Sequence, residues 1–121
     1  MNAFKRLLRR LYLAARGTSS FVGGDGAGGV TEENRLYGGL VLAQATVAAA
    51  RTVPEDRALH SLHAQFLRPG RPDTDIHFEV QITKSGRSFD TRTVTALQQG
   101  KPILQMLTSF APNVPSVAHQ T

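Results

Sequence analysis

"RLYGGLVLAQATVAAAR", residues 35–51, carries no charge between its two terminal arginines. Gly38 and Gly39 open the segment, and its body from Leu40 to Ala50 is built from Leu, Val, Ala, Gln and Thr. The composition predicts a helix from Gly38 to Thr52. Thr31, Glu32, Glu33 and Asn34 ahead of it supply residues that cap a helix and suit the positive end of its dipole. Pro54 ends it, and Glu55, Asp56 and Arg57 make the turn that follows. A helix that is apolar nearly all round is buried nearly all round, so the rest of the chain has to wrap it.

Downstream the period changes from helical to two. "ALHSLHAQFL" (58–67) runs into the turn "RPGRPDTD", and "IHFEVQIT" (76–83) alternates Ile76, Phe78, Val80 and Ile82 against His77, Glu79 and Gln81. "RSFDTRTVTALQ" (87–98), rich in β-branched residues, follows the turn "KSG", and "QQGKP" turns the chain into "ILQMLTSF" (103–110). The order of one buried helix and then four strands is an α+β plan. It predicts a curved antiparallel β-sheet wrapped around one central α-helix.

Upstream, "GTSSFVGGDGAGG" (17–29) has six glycines in thirteen residues and holds at most a short strand around Phe21 and Val22. Gly24 to Gly29 satisfies G-x-G-x-x-G formally, but no solid strand precedes it and no helix follows at once, so it is not read as a dinucleotide fingerprint. The net charge is +5. Lys5, Arg6, Arg9, Arg10 and Arg16 account for all of it, and the remainder of the chain is neutral. A nucleic-acid face on the folded body is therefore not expected. Residues 1–17 place Phe4, Leu7, Leu8 and Leu11 at helical spacing against basic residues. They read first as a basic amphipathic segment packed on the domain, with a membrane-surface helix or an arginine-rich transit segment as alternatives.

The 121 residues suffice for one domain with a real core, expected over residues 18–112, with 113–121 as a linker-like tail. There is no cysteine. Disulfides, thiolate metal sites and a cysteine nucleophile are excluded. The absence also fits a reducing compartment, and a cytoplasmic location is the expectation.

Gly38-Gly39, His60-Ser61-Leu62-His63, Phe66-Leu67-Arg68-Pro69-Gly70, Gly86-Arg87-Ser88-Phe89 and Gly100-Lys101-Pro102 occur in one order along the chain. In that order they resemble the first of the two hotdog repeats of the acyl-CoA thioesterase II family, over about residues 21–121. The resemblance implies a single hotdog fold and hydrolysis of fatty acyl-CoA to free acid and CoA, with no metal and no organic cofactor. It also implies that the Asp, Thr and Gln that orient the attacking water lie mainly in a second repeat. His119-Gln120 resembles the start of the linker between repeats.

Thioester hydrolysis needs a base or water-positioning group and donors for the developing oxyanion. Backbone N–H groups at a helix N-terminus are unsatisfied and lie at the dipole's positive end. Gly38 and Gly39 would let a carbonyl approach them, or would simply allow close packing. In a related hotdog subclass a carboxylate follows such a glycine pair by two turns, and here that spacing lands on Thr46, which can hold a water but cannot take its proton. Analogy with the second repeat adds Ser61 and Thr108 as catalytic candidates. His63 is a candidate pocket residue or a structural histidine. His60 and His63, three apart on a strand, would not share a face and so would not hold one metal ion. Arg68, Arg71, Arg87, Arg92 and Lys101 fall near strand ends where CoA phosphates could meet them, Arg68 and Arg87 foremost, against a solvated rim balanced by Asp73, Asp75 and Asp90. Leu40, Val41, Leu62, Phe66, Phe89 and Met106 are tunnel or core residues.

Two functions follow: an acyl-CoA thioesterase completed by a second repeat or subunit, or a non-catalytic acyl-CoA-binding or assembly module of a split thioesterase. Both predict association, a homodimer or a pairing with a second hotdog domain, because a lone hotdog leaves a sheet edge uncovered.

Overall fold

A computed structural model describes residues 13–23, 34–71 and 73–112, with side chains of the helix described from Gly38 onward. The helix, α1, spans Asn34–Ala50. The strands are β1 (Ala14–Ala15), β2 (Ser20–Gly23), β3 (Arg57–Phe66), β4 (Ile76–Ser85), β5 (Asp90–Gln98) and β6 (Lys101–Pro112). They form one sheet in the order β1-β2-β4-β5-β6-β3. Every pairing is antiparallel. This is the expected hotdog arrangement, with the helix laid across one face of the sheet.

The helix buries a stripe rather than its whole circumference. Val41, Gln44, Ala45, Ala48 and Ala49 are buried, at the i, i+3, i+4, i+7, i+8 spacing of a core-facing helix. Alanines at the contact bring the helix close to the sheet. Leu42, Ala43, Thr46 and Val47 are partly exposed, and Gly39 and Ala50 are exposed. The expectation of burial nearly all round is corrected here: an uncharged surface reads as buried, but the described residues cover only one side of α1.

Opposite the stripe, the inward positions of the sheet are Ile76, Phe78 and Val80 on β4, Val94 and Ala96 on β5, and Leu104, Met106 and Phe110 on β6. Registers such as Val80↔Val94 and Val94↔Met106 keep these rows in line. Ile82, expected inside by alternation, is 56% exposed, beside the bulge between Ile82 and Lys84. The first segment is also shorter than expected. Leu13 is core and Ala14–Ala15 is a strand, so residues 13–17 belong to the domain, whereas 1–12, 24–33 and the tail 113–121 lie outside the described residues.

β1 and β2 reach the helix through two contacts. The Arg51 guanidinium lies 4.8 Å from the Phe21 ring centroid, and its Nη1 donates to the Leu13 carbonyl at 2.7 Å. Gly23 meets the helix directly: a Cβ there would stand 2.6 Å from Leu13 Cδ2 and 2.9 Å from Gln44 Oε1. Gly23→Val is therefore expected to cost about 1–3 kcal/mol by overpacking, read as a lowered melting temperature.

Arg92 and Asp90, placed on the solvated rim by sequence, are instead buried at the C-terminal end of α1. Each shares the inward parity of β5 with Val94 and Ala96. Arg92 Nε and Nη2 donate to the hydroxyl and carbonyl of Thr52, at 2.8 and 3.0 Å, and Nη1 donates to the carbonyls of Lys84 and Thr91. Asp90 Oδ2 is 3.3 Å from Arg57 Nε. Long polar side chains thus take over where the helix runs out, and Arg92 holds Thr52 just beyond its last residue.

Candidate active site

A cleft of about 380 Å³ opens at the N-terminal end of α1, between the helix and the end of β3. Gly38, Val41, Phe66, Leu67, Arg68, Pro69, Gly70 and Ile103 line it. Phe66 points to the helix side of β3, and a methyl on Gly38 would lie 3.7 Å from its ring. The ring is half exposed, so it forms the open wall of the cleft. Gly39, the next helical residue, is exposed and its Cβ position has no neighbour within 4 Å. Close packing accordingly explains neither glycine. Two consecutive residues of bare backbone, in the second turn of α1, border an apolar cleft near the helix's positive end, which suits a polarised carbonyl.

Arg68 is the one charged side chain in this lining. Its backbone N–H and that of Leu67 both donate to the Ile103 carbonyl, and its Nη1 donates to the Pro102 carbonyl at 2.7 Å. Its head is therefore positioned at the rim.

Of the residues singled out from sequence, the cleft gathers Gly38 and Arg68, with Gly39 beside them, and from the tunnel candidates Val41 and Phe66. The others lie elsewhere. Thr46 is about two turns further along α1, roughly 10 Å from Gly39 by the helical rise. Its hydroxyl donates to the Leu42 carbonyl at 2.9 Å and lies 3.8 Å from Met106 Sδ. Thr108 is buried and donates to the Arg92 carbonyl at 3.1 Å. It is four residues along β6 from Leu104, the partner of Phe66, or about 13 Å from the cleft end. Arg87 lies in the β4–β5 turn, at the opposite end of the sheet from Arg68. These two arginines cannot share one phosphate. Phe89 sits in that far turn as well, with its ring 5.3 Å from the His60 ring.

Ser61 and His63 face away from the helix. Their partners on β6, Ser109 and Leu107, alternate with the inward Thr108, Met106 and Phe110, and His63 lines a shallow groove on the outer face with Thr93 and Leu107. Their placement follows from a bulge between Leu59 and Ser61, which sets Leu59 and Leu62 on the same inward face although they are three apart. Strict alternation across His60, assumed in reading the two histidines, does not hold. Ser61→Ala and His63→Ala are expected to change stability by less than about 0.5 kcal/mol in urea titration, as outward surface changes do.

Sequence reasoning passed over Ile103 as a cleft residue and gave Leu67, Pro69 and Gly70 no role, though the last three were in plain view in the Phe66–Gly70 motif. Gln98 was missed altogether. A glutamine at a strand end carries no signal until the loop it faces is known.

A single hotdog with an apolar cleft at the helix N-terminus, walled by Gly38 and Phe66, defines the class to which this protein belongs. The model of the acyl-CoA thioesterase N-terminal domain matches residues 28–111. Human acyl-coenzyme A thioesterase 8 is 46% identical over 87 residues, covering 71% of this chain and 27% of that protein. Acyl-CoA thioesterase 2 of Haemophilus influenzae is 40% identical over 86 residues, covering 71% of this chain and 30% of that protein. Among solved structures, a tesB protein of Mycobacterium avium subs paratuberculosis superimposes with a TM-score of 0.81 at 36% identity, covering 93% of this chain and 44% of that one. The chain belongs to the acyl-CoA thioesterase N-terminal domain family. It spans less than a third of the length of these curated relatives. No helix among the described residues is long and apolar enough to cross a membrane.

Proposed function

We propose that this chain is the acyl-CoA-binding half of a thioester hydrolase, cleaving fatty acyl-CoA to free acid and CoA when a second hotdog repeat or subunit completes the site. The observation that carries the reading is the cleft at Gly38. Its apolar walls suit an acyl chain, the positive end of the α1 dipole beside it suits a polarised thioester carbonyl, and Arg68 at the rim suits an anionic group of CoA. Gly39 belongs with Gly38 as oxyanion support. Thr46, Ser61, Thr108, His63 and Arg87 have no part in this cleft.

Among the described residues, none that lines the cleft carries a carboxylate or an imidazole. That favours a half-site over a self-sufficient enzyme, and it keeps the second reading, a non-catalytic acyl-CoA-binding module, distinct by one measurement. Release of free thiol from medium- and long-chain acyl-CoA, followed spectrophotometrically, is expected only with the second repeat present. Binding without hydrolysis even then would establish the module, and no binding at all would end both readings.

The completing partner is a second copy or a second hotdog domain joined along β3. This edge strand is exposed over most of its ten residues and shows Leu59, Leu62 and Phe66 to one side. A strictly monomeric species by light scattering at micromolar concentration would contradict the homodimer. The location proposed is the cytoplasm, in keeping with a chain without cysteine.

A further inference from the structure

Gln98 closes β5 at the end of the sheet where the cleft lies, and it is buried, 5% exposed. The two residues after it, Gln99 and Gly100, both have positive φ (52° and 78°), the geometry of a two-residue hairpin whose twist matches the strands. That turn fixes Gln98 opposite Lys101. Its side chain does not join the core packing. The backbone N–H of Arg71 donates to Gln98 Oε1 at 2.8 Å, and Gln98 Nε2 donates to the carbonyls of Arg71 and Thr74 at 2.8 and 2.9 Å. One amide thus acts as a piece of strand for the backbone at Arg71 and Thr74.

The loop so held is a wall of the cleft. Leu67, Arg68, Pro69 and Gly70 line it, and Arg71 follows directly. The start of the loop is tied to Pro102 and Ile103. Its other end is tied to Gln98. Both ties come from the β5–β6 hairpin, so the width of the cleft and the place of Arg68 are set by one turn.

We propose that Gln98 is a positioning residue of the acyl-CoA cleft, holding the backbone at Arg71 and Thr74, and with it the 67–71 wall, in its binding conformation before substrate arrives. The inference rests on the reading of the cleft as the acyl-CoA site. Freed from Gln98, the loop would have to be ordered at the moment of binding. Fixing even one or two residues costs about 1–2 kcal/mol each, which corresponds to about tenfold in affinity. Gln98→Glu keeps the size and the acceptor but cannot donate to the two carbonyls once ionised, so volume and hydrogen bonding are separable.

The test uses the whole chain, together with its second repeat where that is needed for binding, and a non-hydrolysable long-chain S-alkyl-CoA thioether. Affinity is measured by calorimetry well below the melting temperature, and exchange of the Arg71 amide by NMR. Both Q98A and Q98E are expected to weaken binding about tenfold, and Q98A, which removes the acceptor as well, to speed Arg71 exchange. Faster exchange with affinity unchanged would overturn the proposal, as would failure of both variants to fold, which would assign Gln98 to the core. If the unsubstituted protein binds no thioether, the reading of the cleft falls and the inference falls with it. Unchanged affinity in variants of a binding-competent protein sinks the inference alone.

Discussion

Arg92→Met is expected to destabilise the folded chain by about 3–5 kcal/mol, the range seen when a buried charged partner is removed from groups that depend on it. Methionine keeps most of the apolar stem and removes every donor. Arg92 is 2% exposed and serves the Thr52 hydroxyl, the Thr52 carbonyl and the Lys84 carbonyl. Lys84 stands beside the bulge in the β4–β5 ladder, where regular pairing is interrupted. The Thr52 hydroxyl itself donates to the Ala49 carbonyl at 2.8 Å, so the arginine steadies the last turn of the helix at one remove. The acceptors are partly buried, so each one left without a donor falls at the low end of about 1–3 kcal/mol, and three or four are at stake. Loss of a buried charge returns part of this. Against a total stability of about 5–15 kcal/mol, the remainder is large. A lower urea midpoint at unchanged slope would register it. Arg87→Met, in an exposed turn, is the control and should stay within about 0.5 kcal/mol. A midpoint for Arg92→Met equal to that of the control would show that the helix end needs no donor from the sheet.

The contrast between these two arginines marks what sequence can reveal. Arg87 and Arg92 look alike in a list of strand-end cations, and burial of one of them depends on where the helix ends over the sheet. Alternation located Ile76, Phe78 and Val80 correctly because those residues are apolar and lie under the helix, and it misplaced Ile82, which lies at the bulge. Bulges are the second source of error. Nothing in "ALHSLHAQFL" announces the extra residue at Leu59–Ser61, yet it decides that Leu59 and Leu62 face inward together while Ser61 and His63 face out. The glycine pair and the Phe66–Gly70 motif were legible because motif order survives without geometry. Gln98 was not, since its role exists only between a turn and a loop 24 to 27 residues away.

Hydrolysis of acyl-CoA by this chain alone is expected to run at least about a hundredfold below that of the same chain completed by a second repeat, the low end of what a positioned base contributes. In the proposed reading Gly38, Gly39 and Arg68 serve binding and carbonyl polarisation, and none of the three is a proton acceptor. Thr46, where a carboxylate would serve, spends its hydroxyl on the Leu42 carbonyl. Asp90, a buried carboxylate, is at the far end of the helix and faces Arg57. In the proposed reading the base comes from the partner, across the open side of β3. There the half-exposed Leu62 and Phe66 continue the inward face beyond the cover of α1, and the helix leaves Leu42, Ala43 and Val47 partly bare. A second hotdog aligned on this edge would cover that apolar strip and stand over the cleft in one step, which ties assembly to activity. The measurement is thiol release by the chain with and without the second repeat, alongside thioether affinity for each. Equal rates would locate the base within this chain and refute the half-site. Rates that differ a hundredfold while affinities differ less than tenfold would show that the partner brings chemistry rather than binding, because a group that acts only in the transition state leaves ground-state affinity nearly unchanged.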